Sequence, residues 1–305
     1  MAEDYPRTML ELERRFSDES ACRAYLSALR WPNGFVCPGC QGRQSVEIRR
    51  ALWRCLKCRR EVSITAGTAF QDSKLPLTLW FRAIWQVTSQ KNGVSAMGLQ
   101  RVLGLGSYKT AWTVLHKLRR AMVRPGRERL HGIVEVDEAY WGGEEDDVRG
   151  RQTYEKALTA IAAEADGNGI GRIRLRHIPD TTRATLHGFI AEAIESGSTV
   201  QTDGLPAYRE MSGYVHDRRV QKHQPEDAAH LLPRAHRVIS LLKRWLLGTH
   251  QGAVGSEYLQ DYLDEFTFRF NRRTSASRGK LFYRLVEQAV QIAPTTYDAL
   301  GKHKL

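Results

Sequence analysis

Cys37-Pro38-Gly39-Cys40 and Cys55-Leu56-Lys57-Cys58 place two C-x₂-C pairs fourteen residues apart. Zn²⁺ prefers four thiolates in a tetrahedron, and two tight knuckles supply two ligands each, so the spacing predicts a zinc ribbon. Four protein ligands leave no open coordination position, so this zinc is expected to be structural. Gly39 is expected to let the first knuckle bend. Phe35, Val36, Val46, Ile48, Leu52 and Trp53 are candidates for the surrounding hairpin strands. Cys22 lies outside the pattern and reads as a small buried apolar residue.

Carboxylates offer a second chemistry. Asp137 ends the apolar stretch Ile133-Val134-Glu135-Val136-Asp137, and Asp203 ends Ser198-Thr199-Val200-Gln201-Thr202-Asp203, with Gly204 following. If the two strands are neighbours, the pair can hold Mg²⁺, and two ions about 3.5–4 Å apart can clamp the attacking and leaving oxygens of a phosphoryl transfer. A single strand-end aspartate is more often a turn or helix cap. The order of elements shifts that balance: three strands, a helix, then a fourth strand ending in Asp is the order of an RNase H-like core.

The elements that must carry these residues fall into blocks. Residues 1–30 are a helical lead-in and 31–66 the ribbon. Residues 67–124 are helical: Leu77, Trp80, Phe81, Ile84 and Trp85 form one apolar stripe at helical spacing. Within this block, 95–121 have the size and turn position of a helix-turn-helix, with Gly104-Leu105-Gly106 as the turn and Ser107 as a helix cap. Tyr108 and Lys109 would then meet DNA at the start of the second helix, with Lys117, Arg119 and Arg120 away from its apolar face. A plain helical hairpin has the same pattern. Pro125-Gly126 breaks the run, and beyond it the texture is α/β. Strands are expected at 133–137, 157–163, 172–178 and 198–202, with a fifth at 218–222. Asp166-Gly167-Asn168-Gly169 is a hairpin turn. Helices are expected at 182–194, 232–247, 257–271 and 278–292. The core is assigned to 129–275 and a helical tail to 276–305.

The chain has 305 residues, with Lys plus Arg at 46 and Asp plus Glu at 34, for a formal charge of +12. A polyanionic partner follows, double-stranded DNA before a membrane surface. The N-terminus lacks an apolar signal region and no spanning run exists, so a cytoplasmic, DNA-associated protein without membrane contact is expected.

Val134-Glu135-Val136-Asp137-Glu138-Ala139-Tyr140-Trp141-Gly142-Gly143, Gln201-Thr202-Asp203-Gly204, Leu241-Leu242-Lys243-Arg244-Trp245-Leu246-Leu247-Gly248-Thr249-His250 and Tyr262–Arg273 together resemble the bacterial insertion-sequence transposases that join an N-terminal zinc ribbon to a DDE-type catalytic core. Ser63-Ile64-Thr65-Ala66-Gly67-Thr68 fits the same family, and the resemblance runs from about residue 30 to 275. It implies an α/β fold: an RNase H-like mixed sheet flanked by helices, behind a zinc ribbon and a helix-turn-helix-like region. The implied reaction is metal-dependent cleavage at the element ends and strand transfer into target DNA, by a working complex of at least two copies. Asp137 and Asp203 match the first two acids. Many relatives carry a Glu seven residues before a helix Lys. Here Lys243 is present and His236 stands seven residues earlier, which makes the site an Asp-Asp-His variant. Nearly two helical turns separate the two, so they share a face. An imidazole suits Mn²⁺ better than Mg²⁺, and the catalytic ion is expected to be one of these. Glu226 and Asp227 are carboxylates that could substitute. Lys243 and Arg244 are expected near DNA phosphate, and Arg269, Arg272 and Arg273 along the backbone. A non-cleaving DNA-binding derivative and an RNase H-like nuclease are the alternatives.

Overall fold

The computed structural model describes residues 3–300 except 50, 125, 143–155, 221–230 and 253. Glu226 and Asp227 therefore lie outside the described residues. The helices are α1 (Met9–Arg15), α2 (Glu19–Arg30), α3 (Leu77–Ser89), α4 (Ala96–Leu103), α5 (Tyr108–Ala121), α6 (Arg183–Ala193), α7 (Pro233–His250), α8 (Leu259–Phe270) and α9 (Arg278–Ala289). The strands are β1 (Ser45–Arg49), β2 (Leu52–Cys55), β3 (Glu61–Ser63), β4 (Ile133–Trp141), β5 (Ala157–Asp166), β6 (Gly169–Ile178), β7 (Thr199–Thr202) and β8 (Val215–Arg218). No helix among the described residues is long and apolar enough to cross a membrane. Two compact units result: Met1–Arg124 with Thr274–Leu300, and Pro125–Arg273.

In the first unit, polar caps start the helices where the residue types demand them. Thr8, Asp18, Ser95 and Ser107 each accept a backbone N–H in the first turn of α1, α2, α4 and α5. The α3 stripe is buried throughout. Phe81 meets Phe16 edge-on at 4.8 Å and Phe282 of α9 at 5.6 Å. The end of the chain thus packs into its beginning. Gly279 has no room for a side chain, because a Cβ would overlap the Pro6 carbonyl oxygen.

Two expectations for this unit need correction. Lys117 and Arg119 are buried, not on a solvated face. Lys117 Nζ donates to the Gln71 carbonyl at 3.1 Å, and Arg119 Nη1 lies 3.1 Å from His116 Nε2. Likewise Phe35 and Val36 are not in strands; Phe35 packs in the ribbon core with Val62 and the cysteines. The ribbon is an antiparallel sheet ordered β1-β2-β3.

The second unit is a five-stranded sheet ordered β6-β5-β4-β7-β8. β4, β5 and β6 are antiparallel neighbours, while β7 runs parallel to β4 and β8 parallel to β7. Three meandering strands, a crossover helix and two parallel strands make an RNase H-like sheet. Alternation along β4 sorts its side chains between the faces. Val134 and Val136 pack towards α6, with Leu186, Phe189 and Ile190. Ala139 packs on the opposite face, with Val238 and Leu242 of α7 and Leu263 and Phe266 of α8. Leu242, Val238 and Leu263 are fully buried, each worth about 1.5–3 kcal/mol by removal from water. That face carries the carboxylates.

β4 runs four residues past Asp137, so this aspartate is mid-strand and not at a strand end. The fifth strand lies at Val215–Arg218, earlier than the expected 218–222. It is a short, polar edge strand that offers little apolar pattern to read.

Candidate active site

The zinc ribbon is the simplest site. The four cysteine Sγ atoms lie within 4.8 Å of one another. Cys37–Cys58 and Cys40–Cys55 are each 3.6 Å apart, close to the edge of about 3.8 Å that a tetrahedron with Zn–S bonds near 2.3 Å requires. The two knuckles are built alike. Gln41 N–H donates to the Cys37 carbonyl and Arg59 N–H to the Cys55 carbonyl, both at 2.9 Å. The left-handed residues are Gln41 (φ 58°) and Arg59 (φ 64°), not Gly39. What Gly39 provides is space, since a Cβ there would meet the Arg60 guanidinium at 2.8 Å. Cys22 is fully buried, and burial first, then the nearby Glu19 and Asp18, push its thiol up to about 12.

Strand register sets the two carboxylate-bearing segments side by side. Glu135 pairs with Gln201 across β4 and β7. The paired register ends there; Asp203 directly follows β7, and the Tyr208 phenol feels the charges of both Asp137 and Asp203. The two strands are neighbours, about 4.8 Å apart. Pairing with β7 stops below Asp137. Asp203 Oδ1 accepts the Leu205 N–H at 2.9 Å, which fixes the turn after β7. The third predicted member arrives from α7: His236 Nε2 lies 3.2 Å from Asp137 Oδ2, with the imidazole 38% exposed and the carboxylate 14%. The structure brings His236 and Asp137 together, and a carboxylate beside an imidazole is a donor pair that suits Mn²⁺ or Mg²⁺. Among the described residues, the group of three or more His, Cys, Asp or Glu side chains close enough to share an ion is the cysteine set.

Two glutamates beside Asp137 organise this meeting. Glu135 is fully buried. Its Oε2 accepts the N–H groups of Arg234 at 2.7 Å and Ala235 at 2.9 Å, and its Oε1 takes Arg234 Nη1 at 2.9 Å. α7 has no side-chain cap of its own, so a carboxylate from β4 satisfies its first turn and its positive dipole end. Arg234 also donates to the Gly169 and Gly167 carbonyls at 2.9 Å each, which ties the helix start to the β5–β6 turn. His236 begins one residue later. Glu138, on the other face, accepts a hydrogen bond from the Tyr208 hydroxyl. Burial, then the charges of Glu138, Asp137 and Asp203, push the Tyr208 phenol well above its ordinary value and keep it a donor. Tyr208 thereby staples the Asp203 turn to β4. The two-residue offset puts Glu135 on the Asp137 face, but nothing local names the distant helix it caps.

The remaining predicted residues scatter. Lys243 is exposed on α7, its ammonium 5.8 Å from the Trp141 ring centroid, and Arg244 is exposed beside it. Arg269 lies 3.9 Å from buried Glu265. Arg272 stacks on Phe268 at 4.0 Å and Arg273 on Phe270 at 4.1 Å. Arg273 also donates to the Gly171 and Ile170 carbonyls, so this run is engaged within its own unit. In the first unit, Tyr108 is 52% exposed. Lys109 Nζ sits 3.9 Å over the Tyr297 ring.

Residues 129–271 match the family described as the ISXO2-like transposase domain, and residues 17–61 match the transposase zinc-ribbon domain. The uncharacterized protein in transposable element ISH50 of Halobacterium salinarum is 28% identical over 294 residues, covering 84% of this chain and 92% of the relative. Among solved structures, the catalytic core domain of BIV integrase aligns with 48% of this chain and 88% of its own, at 16% identity and a TM-score of 0.33. The Mos1 strand transfer complex aligns with 65% of this chain and 78% of its own, at 14% identity and a TM-score of 0.19.

Proposed function

For a chain that carries both the zinc ribbon and the core domain of an insertion-sequence transposase family, we propose that the reaction is cleavage of double-stranded DNA at the element ends and joining of the freed 3′ end to a target. One observation carries this reading: Asp137 lies on β4, Asp203 directly follows the parallel neighbour β7, and His236 Nε2 lies 3.2 Å from Asp137 Oδ2.

Asp137, Asp203 and His236 would hold the divalent ions. When bound there, the metal neutralises charge on the transferring phosphoryl group and makes the attacking hydroxyl easier to deprotonate. The protein's own contribution is positional. Asp137 orients the imidazole, Glu135 fixes the helix that brings it, and Tyr208 with Glu138 holds the turn that presents Asp203. Lys243, two turns along α7, is a point charge for a backbone phosphate. The ribbon and the α4–α5 pair would bind duplex, and pairing two ends calls for at least two copies.

Single substitutions Asp137→Asn and Asp203→Asn, assayed on an end-bearing duplex in Mn²⁺, should each abolish nicking while retaining duplex affinity within about twofold. Nicking at wild-type rate in both variants would remove the carboxylates from the reaction.

A further inference from the structure

The register that pairs Glu135 with Gln201 continues into β8. Gln201 pairs with Asp217 and Thr202 with Arg218. Arg219 thus stands one step beyond β8 just as Asp203 stands one step beyond β7. Its N–H donates to the Thr202 carbonyl at 2.8 Å. Asp203 and Arg219 thus follow the paired ends of two neighbouring strands, which run about 4.8 Å apart. Glu135, Gln201 and Asp217 form a paired row across β4, β7 and β8.

The side-chain contacts place Arg219 on the carboxylate face. Gln201 Nε2 donates to Asp217 Oδ2 at 2.9 Å, and Arg219 Nε and Nη2 reach the same oxygen at 3.4 and 3.3 Å. The hold is loose. Both distances exceed the roughly 2.7–2.9 Å of a good charge-assisted bond. The Arg219 and Asp217 side chains are 38% and 43% exposed, and such a pair is worth only about 0–1 kcal/mol. Nearby arginines differ. Arg234 is fixed to Glu135 and two carbonyls, and Arg172 to Glu164 at 2.8–2.9 Å.

We infer that Arg219 binds a backbone phosphate of the DNA strand that crosses the Asp137–Asp203 face. The inference rests on the reading proposed above. A polyanion brought to this face meets Asp137 and Asp217, and among the described residues Arg219 is the cation held beside Asp217. Its planar fork suits two phosphate oxygens at once. Asp217 is the resting partner. Exchanging one exposed anion for another costs little, so the contact is available when DNA arrives.

The test reads binding, so it stands apart from cleavage. The full chain carrying Asp137→Asn is titrated against a fluorescent duplex copied from the DNA terminus flanking its gene, across a salt series without added divalent ions. Adding Arg219→Gln should weaken binding about tenfold at low salt, as loss of one charged hydrogen-bonding contact does. It should also make the log–log salt slope shallower by about 0.9, the signature of one lost phosphate. Arg219→Lys should restore the slope and only part of the affinity. Asp217→Asn, which releases Arg219, should bind at least as tightly as the parent. An unchanged slope in Arg219→Gln, or equal losses in Arg219→Gln and Asp217→Asn, would overturn the inference and leave Arg219 as a partner for Asp217 alone. A wild-type chain that binds through Arg219 but never nicks would sink the cleavage reading only.

Discussion

Glu135→Gln is the most informative single change to the site. The wild-type carboxylate is wholly inaccessible and takes two backbone N–H groups of α7 and one guanidinium N–H, at 2.7–2.9 Å. Removing one partner of such a buried pair costs about 3–5 kcal/mol, because the other charge is left uncompensated. Glutamine keeps one acceptor oxygen but turns an amide donor towards donors, so a loss near the lower figure is expected, about 3 kcal/mol. For a unit of this size each kcal/mol lowers the midpoint by roughly 2–4 °C, which gives a fall on the order of 10 °C. Function should suffer more. The helix start that Glu135 holds carries His236, and a displacement of about 1 Å at a reacting centre can cost about a hundredfold. Thermal unfolding and nicking of an end duplex below the new midpoint measure the two effects separately. A midpoint within about 1 °C of wild type together with nicking within twofold would refute the clamp.

Other consequences follow from the same contacts. Stripping zinc with a chelator, or Cys55→Ser, should unfold the ribbon and abolish its contribution to duplex binding, read by circular dichroism and gel shift, since structural zinc supplies folding energy outright. Gly279→Ala should destabilise the first unit by more than about 3 kcal/mol, because its Cβ would overlap backbone at Pro6; denaturant unfolding at the midpoint checks it. Glu164 carries a pH signature. Burial raises its carboxyl, but Arg172 and the N–H groups of His131 and Arg172 outweigh that and hold it down to about 2, against an ordinary 4.5. A depressed folded value stabilises above the unfolded value, so this contribution should be complete above pH 4.5 and disappear as pH falls towards 2. Glu164→Gln should flatten that limb of the stability curve. Tyr208→Phe should leave the fold intact, and slow nicking by loosening the Asp203 turn.

How much of this was legible in the sequence varies by site. The zinc ligands were, because metal spacing is a local property of two short knuckles. Asp137 and Asp203 were recognisable as carboxylates on or just after strands, yet the pairing of β4 with β7 is a long-range contact that no local pattern encodes. His236 was singled out by its interval to Lys243, and only the fold brings its imidazole to 3.2 Å from Asp137. Glu135 was the opposite case: the two-residue offset gave its face, while the helix it caps lies a hundred residues away. The sequence shows the basic run from 269 to 273 but not that Arg272 and Arg273 stack on Phe268 and Phe270, since composition does not encode those contacts. Lys117 and Arg119 look solvated for the same reason, although their neighbours bury them. β8 was misplaced because an exposed edge strand needs no apolar face.

The central claim is that Asp137, Asp203 and His236 form one DNA-joining centre. The direct measurement is strand transfer: purified chain, Mn²⁺, a precut end oligonucleotide with a free 3′-hydroxyl, and a supercoiled plasmid. Covalent joining by the wild type, lost in Asp203→Asn and at least tenfold weaker in His236→Ala, is the predicted result. Joined product of equal yield from all three proteins would contradict the account.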